Sequence, residues 1–275
     1  MSMDRREFLT ASAIGSLTLG HSVITPGDLL VDTRSPDPQA GAASTAGTRK
    51  ILIAGGGFNT AYIRYMAALS GKKRPRICYL PTASADAEEG IIKFYEHCAP
   101  LDVEAHVQKS FIESLSQHQG WDEVFLSMDG IVVSGGNTLN QQAIWKAQGI
   151  DTVLRHAWDQ GIVLGGASAG SLCWFEEGTT DSRPKALSIV KCMGFLTGSH
   201  SPHYDAEAGR RPLYHKLIGE GTMKPGYACD NDAGIYFEDQ TVKRVVSTRA
   251  GAKVYYVSVV NGAVAEKVHE PEMIA

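Results

Sequence analysis

Short apolar and β-branched runs alternate with segments of helical apolar spacing from Lys50 onward, and this alternation most limits the possible folds. It is typical of parallel strands joined by right-handed helical crossovers. The pattern predicts strands at residues 50–54, 76–80, 103–107, 130–134 and 161–164. Helices are predicted between them, including 59–69, 88–98 and 140–145. We therefore expect an α/β fold with a doubly wound, mostly parallel sheet, whose site lies at the carboxyl ends of its strands.

The last quarter of the chain has a different pattern. Short strand-like runs at 227–229, 234–237, 242–246 and 253–259 are separated by Gly, Asp and Asn. Close spacing with turn residues is typical of hairpins. We expect a hairpin-rich C-terminal extension of the same sheet.

Composition narrows the class of partner. The chain has 26 Lys and Arg against 30 Asp and Glu, a net charge of −4, so no basic footprint for nucleic acid exists. No run of about 18 apolar residues could span a membrane. The five cysteines lack metal-ligand spacing and are interpreted as buried thiols, Cys173 included. The sequence thus favours a small substrate and implies no metal or cofactor.

The first 48 residues are predicted to be a signal and a disordered linker. Arg5-Arg6-Glu7-Phe8-Leu9 precedes a mildly apolar run and resembles a twin-arginine export signal. A stretch rich in Pro, Gly, Ala, Ser and Thr follows, with a small-residue cleavage motif at Ala40-Gly41-Ala42. The alternative is a disordered tail on a cytoplasmic enzyme. Residues 49–275 are expected to form one domain.

A candidate nucleophile lies in Gly166-Ala167-Ser168-Ala169-Gly170, between a predicted strand and a predicted helix at 169–175. This is the layout of a nucleophile elbow, in which a strained turn holds the serine hydroxyl clear of the backbone. Small neighbours let a substrate carbonyl approach closely. Ser168 is therefore the predicted nucleophile.

Two other glycine-rich loops follow predicted strands. Gly55-Gly56-Gly57 does not continue into a dinucleotide or phosphate-loop motif. The loop at 134–138 opens a helix, so its backbone N–H groups can face an anion. We expect the N–H groups of Gly136 and Ala169 to form an oxyanion hole, with Asn137 binding substrate.

A serine nucleophile needs a base and a group that orients the base. His203, preceded by Pro202, is the expected general base. Asp181, between the serine and the histidine in the chain, is the expected third member of a Ser-His-Asp triad. The residues alone leave four other carboxylates open for that role: Glu176, Glu177, Asp205 and Asp232.

Several motifs in one order resemble peptidase family S51, which includes peptidase E and cyanophycinase. They are Gly135-Gly136-Asn137, Gly166-Ala167-Ser168-Ala169-Gly170-Ser171, Thr180-Asp181-Ser182 and Pro202-His203-Tyr204-Asp205. The resemblance implies a class I glutamine-amidotransferase-like (flavodoxin-like) fold, a serine nucleophile and a histidine at position 203. It also implies hydrolysis of peptide bonds in small peptides, often next to an aspartyl residue. Its threonine pair puts Asp181 or Ser182 at the acid position.

An aspartyl substrate in a confined pocket would need a cationic partner. Arg210 or Arg211, at the start of a predicted helix after His203, could form a bidentate pair with it, and the resemblance favours Arg210. A solvated helix start explains these arginines equally well.

Two other functions stay open. An α/β-hydrolase-type esterase shares the elbow and the order of Ser, Asp and His, although its catalytic histidine would normally lie near the C-terminus, where only His269 is found. A non-catalytic small-molecule-binding protein could use Ser168 merely to fit a tight turn. The sequence leaves the oligomeric state open, a homodimer included.

Overall fold

The computed structural model describes residues 47–111 and 117–275. The predicted signal, the cleavage motif and nearly all of the predicted linker lie outside these residues. Within the described part, no helix has both the length and the apolar character needed to cross a membrane.

Five parallel strands make up one side of an eight-stranded sheet. They are β1 (Lys50–Ala54), β2 (Arg76–Leu80), β3 (Glu104–Val107), β4 (Gly130–Val133) and β5 (Val163–Ala167). Their order across the sheet is β1-β5-β4-β2-β3, with β3 at its edge. The predicted strands are confirmed, with β5 starting and ending later than expected.

Helices cover both faces of this sheet. The described residues contain α1 (Thr60–Ser70), α2 (Glu88–Cys98), α3 (Trp121–Phe125), α4 (Thr138–Gln148), α5 (Ile150–Asp159), α6 (Ala169–Leu172) and α7 (Arg210–Gly219). Along β1, Ile51 and Ile53 pack in one cluster with residues of α4 and α5. The neighbouring Leu52 and Ala54 pack in another with residues of α1 and α2. Because successive strand residues point to opposite faces, both faces of the sheet are buried, which confirms an α/β fold.

Nine further strands follow β5, and they belong to two sheets. They are β6 (Phe175–Thr180), β7 (Ser188–Lys191), β8 (Leu196–Ser201), β9 (Gly226–Cys229), β10 (Ala233–Glu238), β11 (Thr241–Ser247), β12 (Val254–Val260), β13 (Ala263–His269) and β14 (Glu272–Met273). Strands β10 and β11 extend the first sheet as an antiparallel pair beside β1, with β14 at its edge.

The expectation of a single extended sheet is wrong for two of the predicted strands. Strands β9 and β12 lie in a separate six-stranded sheet of order β13-β12-β9-β8-β6-β7. Only residues 230–232 connect β9 in the second sheet to β10 in the first. We call these three residues the connector. A short β-branched run carries no information on which sheet it joins, so the pattern could not separate the two.

All five cysteines are free thiols. Four are buried and Cys192 is partly buried, so the interpretation as buried thiols holds for four. Burial raises the pKa of the Cys173 thiol well above its usual value, which suits a structural residue.

Candidate active site

Ser168 occupies a strained turn between β5 and α6. Its φ is 57° and its ψ is −118°, a conformation that a non-glycine residue adopts at a cost of roughly 1–3 kcal/mol. Glycines on either side make the turn possible. A Cβ at Gly166 or Gly170 would lie 2.3 or 2.2 Å from the carbonyl oxygen of Val133. Helix α6 ends at Leu172, earlier than the expected 175, because Phe175 already begins β6.

The structure brings Ser168 and His203 together across the two sheets. The Nε2 atom of His203 lies 2.8 Å from the Oγ atom of Ser168. Ser168 follows β5 of the first sheet, whereas His203 follows β8 of the second. His203 has a φ of 54°, and its backbone N–H donates to the carbonyl oxygen of Gly55 at 3.3 Å. Both side chains are partly exposed, so a substrate can reach the pair.

The neighbouring histidine in this segment has another role. His200 is completely buried and lies 3.0 Å from the hydroxyl of Ser171 and 3.0 Å from the carbonyl oxygen of Tyr227. Burial lowers the pKa of His200 to about 3, so it is neutral at ordinary pH. It is enclosed in the second sheet and cannot serve a substrate.

Asn231 is the residue that orients His203. Its Oδ1 atom lies 2.6 Å from the Nδ1 atom of His203. An amide oxygen can only accept a hydrogen bond, so Nδ1 carries the proton of a neutral imidazole. The Nε2 atom is then free to accept the proton of Ser168. The side chains of Ser168, His203 and Asn231 thus form a continuous hydrogen-bonded chain.

The expected contact between Asp181 and His203 is not formed among the described residues. The Asp181 side chain is 64% exposed, and its Oδ1 atom lies 3.7 Å from the Nη2 atom of Arg210. The adjacent Ser182 accepts a hydrogen bond from the backbone N–H of Thr138 at 2.9 Å. This holds the Asp181 segment against the start of α4, whereas the connector brings Asn231 to the histidine.

The four alternative carboxylates also have other partners. Glu176 accepts a hydrogen bond from Lys224 at 2.7 Å, and Glu177 pairs with Lys191. Asp205 and Asp232 lie close to the site but contact the backbone or Arg249 rather than the imidazole.

Two charged side chains hold the backbone of Asn231 on both sides. Asp205 accepts a hydrogen bond from the Asn231 N–H at 2.8 Å. Arg249 donates to the Asn231 carbonyl oxygen at 2.8 Å and also pairs with Asp205. The Nε atom of Arg249 lies 3.1 Å from Asp232 in the same connector. We call Asp205 and Arg249 the connector clamp.

The loop after β4 borders the serine. A Cβ at Gly135 would lie 3.3 Å from the Cβ and 3.8 Å from the Oγ of Ser168. Gly136 has a φ of 131°, and the next N–H, of Asn137, donates to Ala83. None of the hydrogen bonds found among the described residues uses the N–H groups of Gly136 or Ala169. This arrangement is compatible with the expected oxyanion hole.

The three expected substrate-binding side chains are occupied. Asn137 caps α4 by accepting from Asn140 at 2.9 Å, and it donates to Ser182 at 3.1 Å. Arg210 is 2% exposed and is held by Glu207 and by the carbonyl oxygen of Thr179.

Arg211, in α7, is held by a residue of β13 in the second sheet. It pairs with Glu266 and lies over the ring of Tyr204 at 5.1 Å. Burial raises the pKa of Glu266, but hydrogen bonds from Arg211, Tyr204 and His215 lower it more, leaving it at about 2. The guanidinium therefore has a permanent anionic partner inside the protein.

A cleft of about 220 Å³ opens beside Ser168. We call it the serine cleft, and neither Arg210 nor Arg211 lines it. Within residues 47–111 and 117–275, no group of three or more His, Cys, Asp or Glu side chains is arranged to hold a metal ion.

Asn231 and Arg249 were missing from the sequence predictions. The available signal was the polar run Asp230-Asn231-Asp232 between two strands, which reads equally well as an ordinary turn.

Comparison with known proteins identifies the family. Residues 51–245 match the model of peptidase family S51. The chain is 43% identical over 224 residues to "Uncharacterized peptidase YgaJ" of Bacillus subtilis (strain 168), covering 78% of this chain and 94% of that protein. A crystal structure of a peptidase from an acI-B1 Actinobacterium has the same fold, with a TM-score of 0.62 at 16% identity, over 83% of this chain and 96% of that one. The matched segment contains the serine, the histidine and the connector, and the chain belongs to peptidase family S51.

Proposed function

We propose that this protein hydrolyses peptide bonds in small peptides with a Ser168-His203-Asn231 triad. The observation that carries the proposal is the 2.8 Å contact between His203 Nε2 and the hydroxyl of a serine in a strained, partly exposed turn. Strain of this kind persists only where surrounding structure enforces it, and it is common at catalytic residues. Asn231 replaces the expected Asp181 as the third member.

The reaction follows from these contacts. His203 Nε2 accepts the Ser168 proton while Oγ forms a bond to the scissile carbonyl carbon. The resulting oxyanion accepts hydrogen bonds from the N–H groups of Gly136 and Ala169. Nε2 then donates the proton to the leaving amine as the C–N bond breaks. Water, deprotonated by the same nitrogen, then forms a bond to the acyl carbon, and as the C–Oγ bond breaks Nε2 returns the proton to Ser168 and the acid is released.

A neutral amide in the third position changes the electrostatics of this step. The imidazolium that forms on His203 has no carboxylate in contact with it. Asn231 instead fixes the ring orientation and keeps the proton of the resting imidazole on Nδ1. Asp205, which accepts from the Asn231 N–H, and Asp232, the next residue in the connector, are both paired with Arg249.

An aspartyl preference has no support from the occupied arginines. Arg210 and Arg211 already pair with Glu207 and Glu266. Freeing Arg210 would separate its buried guanidinium from Glu207, and freeing Arg211 would remove one of the three side chains that hydrogen-bond Glu266. We therefore extend the proposal to small peptides in general rather than to aspartyl dipeptides.

The test is hydrolysis of a dipeptide library by the wild-type protein and by Ser168→Ala. We expect turnover to fall by roughly 10⁴ or more in the variant, because only binding and oxyanion contacts remain. Ser127→Ala, an exposed serine elsewhere on the surface, is the matched control and should keep wild-type activity. A fluorophosphonate probe should label the wild-type protein and not Ser168→Ala.

Retained hydrolysis in Ser168→Ala would overturn the proposal. Cleavage of simple acyl esters with no cleavage of any dipeptide would instead indicate an esterase. An absence of both hydrolysis and labelling in the wild-type protein would indicate a binding protein.

We also infer the finer fold type, domain boundary and location. The strand order β1-β5-β4-β2-β3 reverses direction between β2 and β4, as doubly wound folds do at their ligand site, and this supports a class I glutamine-amidotransferase-like fold. We propose that residues 49–275 are a single peptidase domain. Residues 1–48 would then be a twin-arginine signal and linker, which fusion of this segment to a reporter would test.

A further inference from the structure

The serine cleft is formed mainly by apolar and aromatic side chains. Phe94 is 4% exposed, and its ring stacks on that of Tyr79 with centroids 5.1 Å apart. Phe58, after β1, and Val132, in β4, contribute further apolar surface. The full lining consists of Gly57, Phe58, Tyr79, Gly90, Lys93, Phe94, His97, Val132, Val133, Ser134, Gly135, Ala167 and Ser168.

The size of the cleft suits one large side chain. Its volume is about 220 Å³, and an apolar cavity of roughly 150 Å³ is enough to bind benzene. The nucleophile itself is part of the lining, so a group in the cleft is adjacent to the bond under attack. The cleft therefore has room for a phenylalanine or leucine side chain beside the scissile bond.

The charges of the cleft do not suit an acidic side chain. Lys93 and His97, both on α2, are the lining residues that can carry a positive charge. Lys93 is 60% exposed and is paired with Glu89 at 2.6 Å. His97 shares a hydrogen bond with Thr60 at 3.2 Å. A carboxylate deep in the cleft would lose its water without gaining a buried cation, which is costly.

Gly90 sets the depth of the cleft. A Cβ at this position would lie 2.9 Å from the Tyr79 hydroxyl oxygen and 3.7 Å from the ring atom Cε1. A side chain here would point from α2 at the cleft wall that Tyr79 forms. A larger side chain at Gly90 would displace the Tyr79 hydroxyl and narrow the cleft that both residues line.

We infer that the serine cleft is a specificity pocket for one aromatic or branched apolar side chain next to the scissile bond, with Gly90 determining the size accepted. This inference rests on the proposed peptidase function and specifies its substrate class. Substrates would then be selected by burial of an apolar side chain, and not by the expected pairing of an aspartyl carboxylate with an arginine.

The test compares kcat/KM for dipeptides that carry Phe, Leu, Ala or Asp at each position in turn. We expect Phe or Leu at one position to exceed both Ala and Asp by roughly 10- to 100-fold, the range that apolar burial supplies. In Gly90→Leu, the new side chain fills the cleft, so this preference should fall to within about threefold. Hydrolysis of the Ala substrate should change by less than about threefold.

Two controls separate occupation of the cleft from damage to the fold. Gly90→Leu gains helix propensity but must displace the Tyr79 hydroxyl, so its thermal midpoint is measured as well, and a cooperative transition with retained hydrolysis of the Ala substrate shows that the fold is intact. Glu96→Leu introduces the same side chain on α2 at an exposed position outside the cleft and should keep the wild-type preference.

A preference for Asp, or an apolar preference that Gly90→Leu leaves intact, would overturn the inference. Either result with an inactive Ser168→Ala variant would leave the peptidase proposal standing. Hydrolysis retained in Ser168→Ala would remove the peptidase proposal and the inference with it.

Discussion

Replacing Asn231 by alanine isolates the contribution of the residue that orients the base. The substitution removes the 2.6 Å hydrogen bond to His203 Nδ1. The backbone of residue 231 stays held by the connector clamp, since Asp205 and Arg249 contact its N–H and carbonyl groups. The change therefore deletes one side-chain contact without releasing the connector.

The expected loss is about 10- to 100-fold in kcat/KM. A neutral hydrogen bond contributes about 1 kcal/mol, and loss of a fixed tautomer adds a comparable amount, because a proton on Nε2 makes the ring unable to accept one. A total of about 1.4–2.7 kcal/mol corresponds to that range. Loss of a charged triad carboxylate in subtilisin costs about 3 × 10⁴. The smaller expectation here follows from the neutral amide of Asn231.

The assay measures both dipeptide hydrolysis and the second-order rate of labelling by a fluorophosphonate probe. Labelling reports on activation of Ser168 without requiring the natural substrate. Asn231→Asp keeps an acceptor in place and should be more active than Asn231→Ala. Asp181→Ala is the decisive comparison, and we expect it to stay within about twofold of the wild type because Asp181 is exposed and contacts Arg210. Full labelling of Asn231→Ala, or an equal loss in Asp181→Ala, would refute the assigned triad.

Three further changes probe the surroundings of the triad. Gly56→Ala should lower kcat by 10-fold or more, because its Cβ would lie 2.2 Å from the Asn231 side-chain oxygen; unchanged kinetics would contradict the close approach. Arg249→Gln should lower kcat by roughly 3- to 10-fold with KM unchanged, since the Asn231 carbonyl oxygen loses its donor and Asp205 loses its cationic partner; a change in KM alone would argue against a positioning role. Glu266→Gln should lower the free energy of unfolding by about 1–3 kcal/mol at pH 7. Although burial raises it, hydrogen bonds hold the pKa of Glu266 at about 2, below an unfolded value of about 4.3, so its stabilisation is lost as pH falls through this window. Urea titrations at pH 7, 4 and 2.5 should show the two proteins converging.

The parallel strands could be predicted from the sequence because their signal is local. Strands β1 to β5 are apolar runs separated by helical segments, and burial on both faces leaves no competing arrangement for them. The strands of the second sheet have the same kind of local sequence pattern as β10 and β11 of the first sheet. Each strand joins its sheet by pairing with segments that are distant in the sequence. The local pattern does not indicate these pairings.

The nucleophile could be predicted because it depends on a local turn. The third triad member could not, because it depends on how distant segments of the chain come together. The glycines around Ser168 point to the elbow because only small residues fit against Val133. A carboxylate is the usual third member of a serine triad, so an asparagine in that role is not indicated by the sequence. Asn231 meets His203 only because the connector crosses between the sheets at that point.

The nucleophile and its base are supplied by different halves of the architecture. Ser168 follows a strand of the first sheet and His203 follows a strand of the second. Asn231 lies in the connector between the two sheets. A chain in which only the first sheet has assembled would present a hydroxyl with nothing to remove its proton. Activation of the Ser168 hydroxyl by His203 therefore requires both sheets to be packed together as they are here.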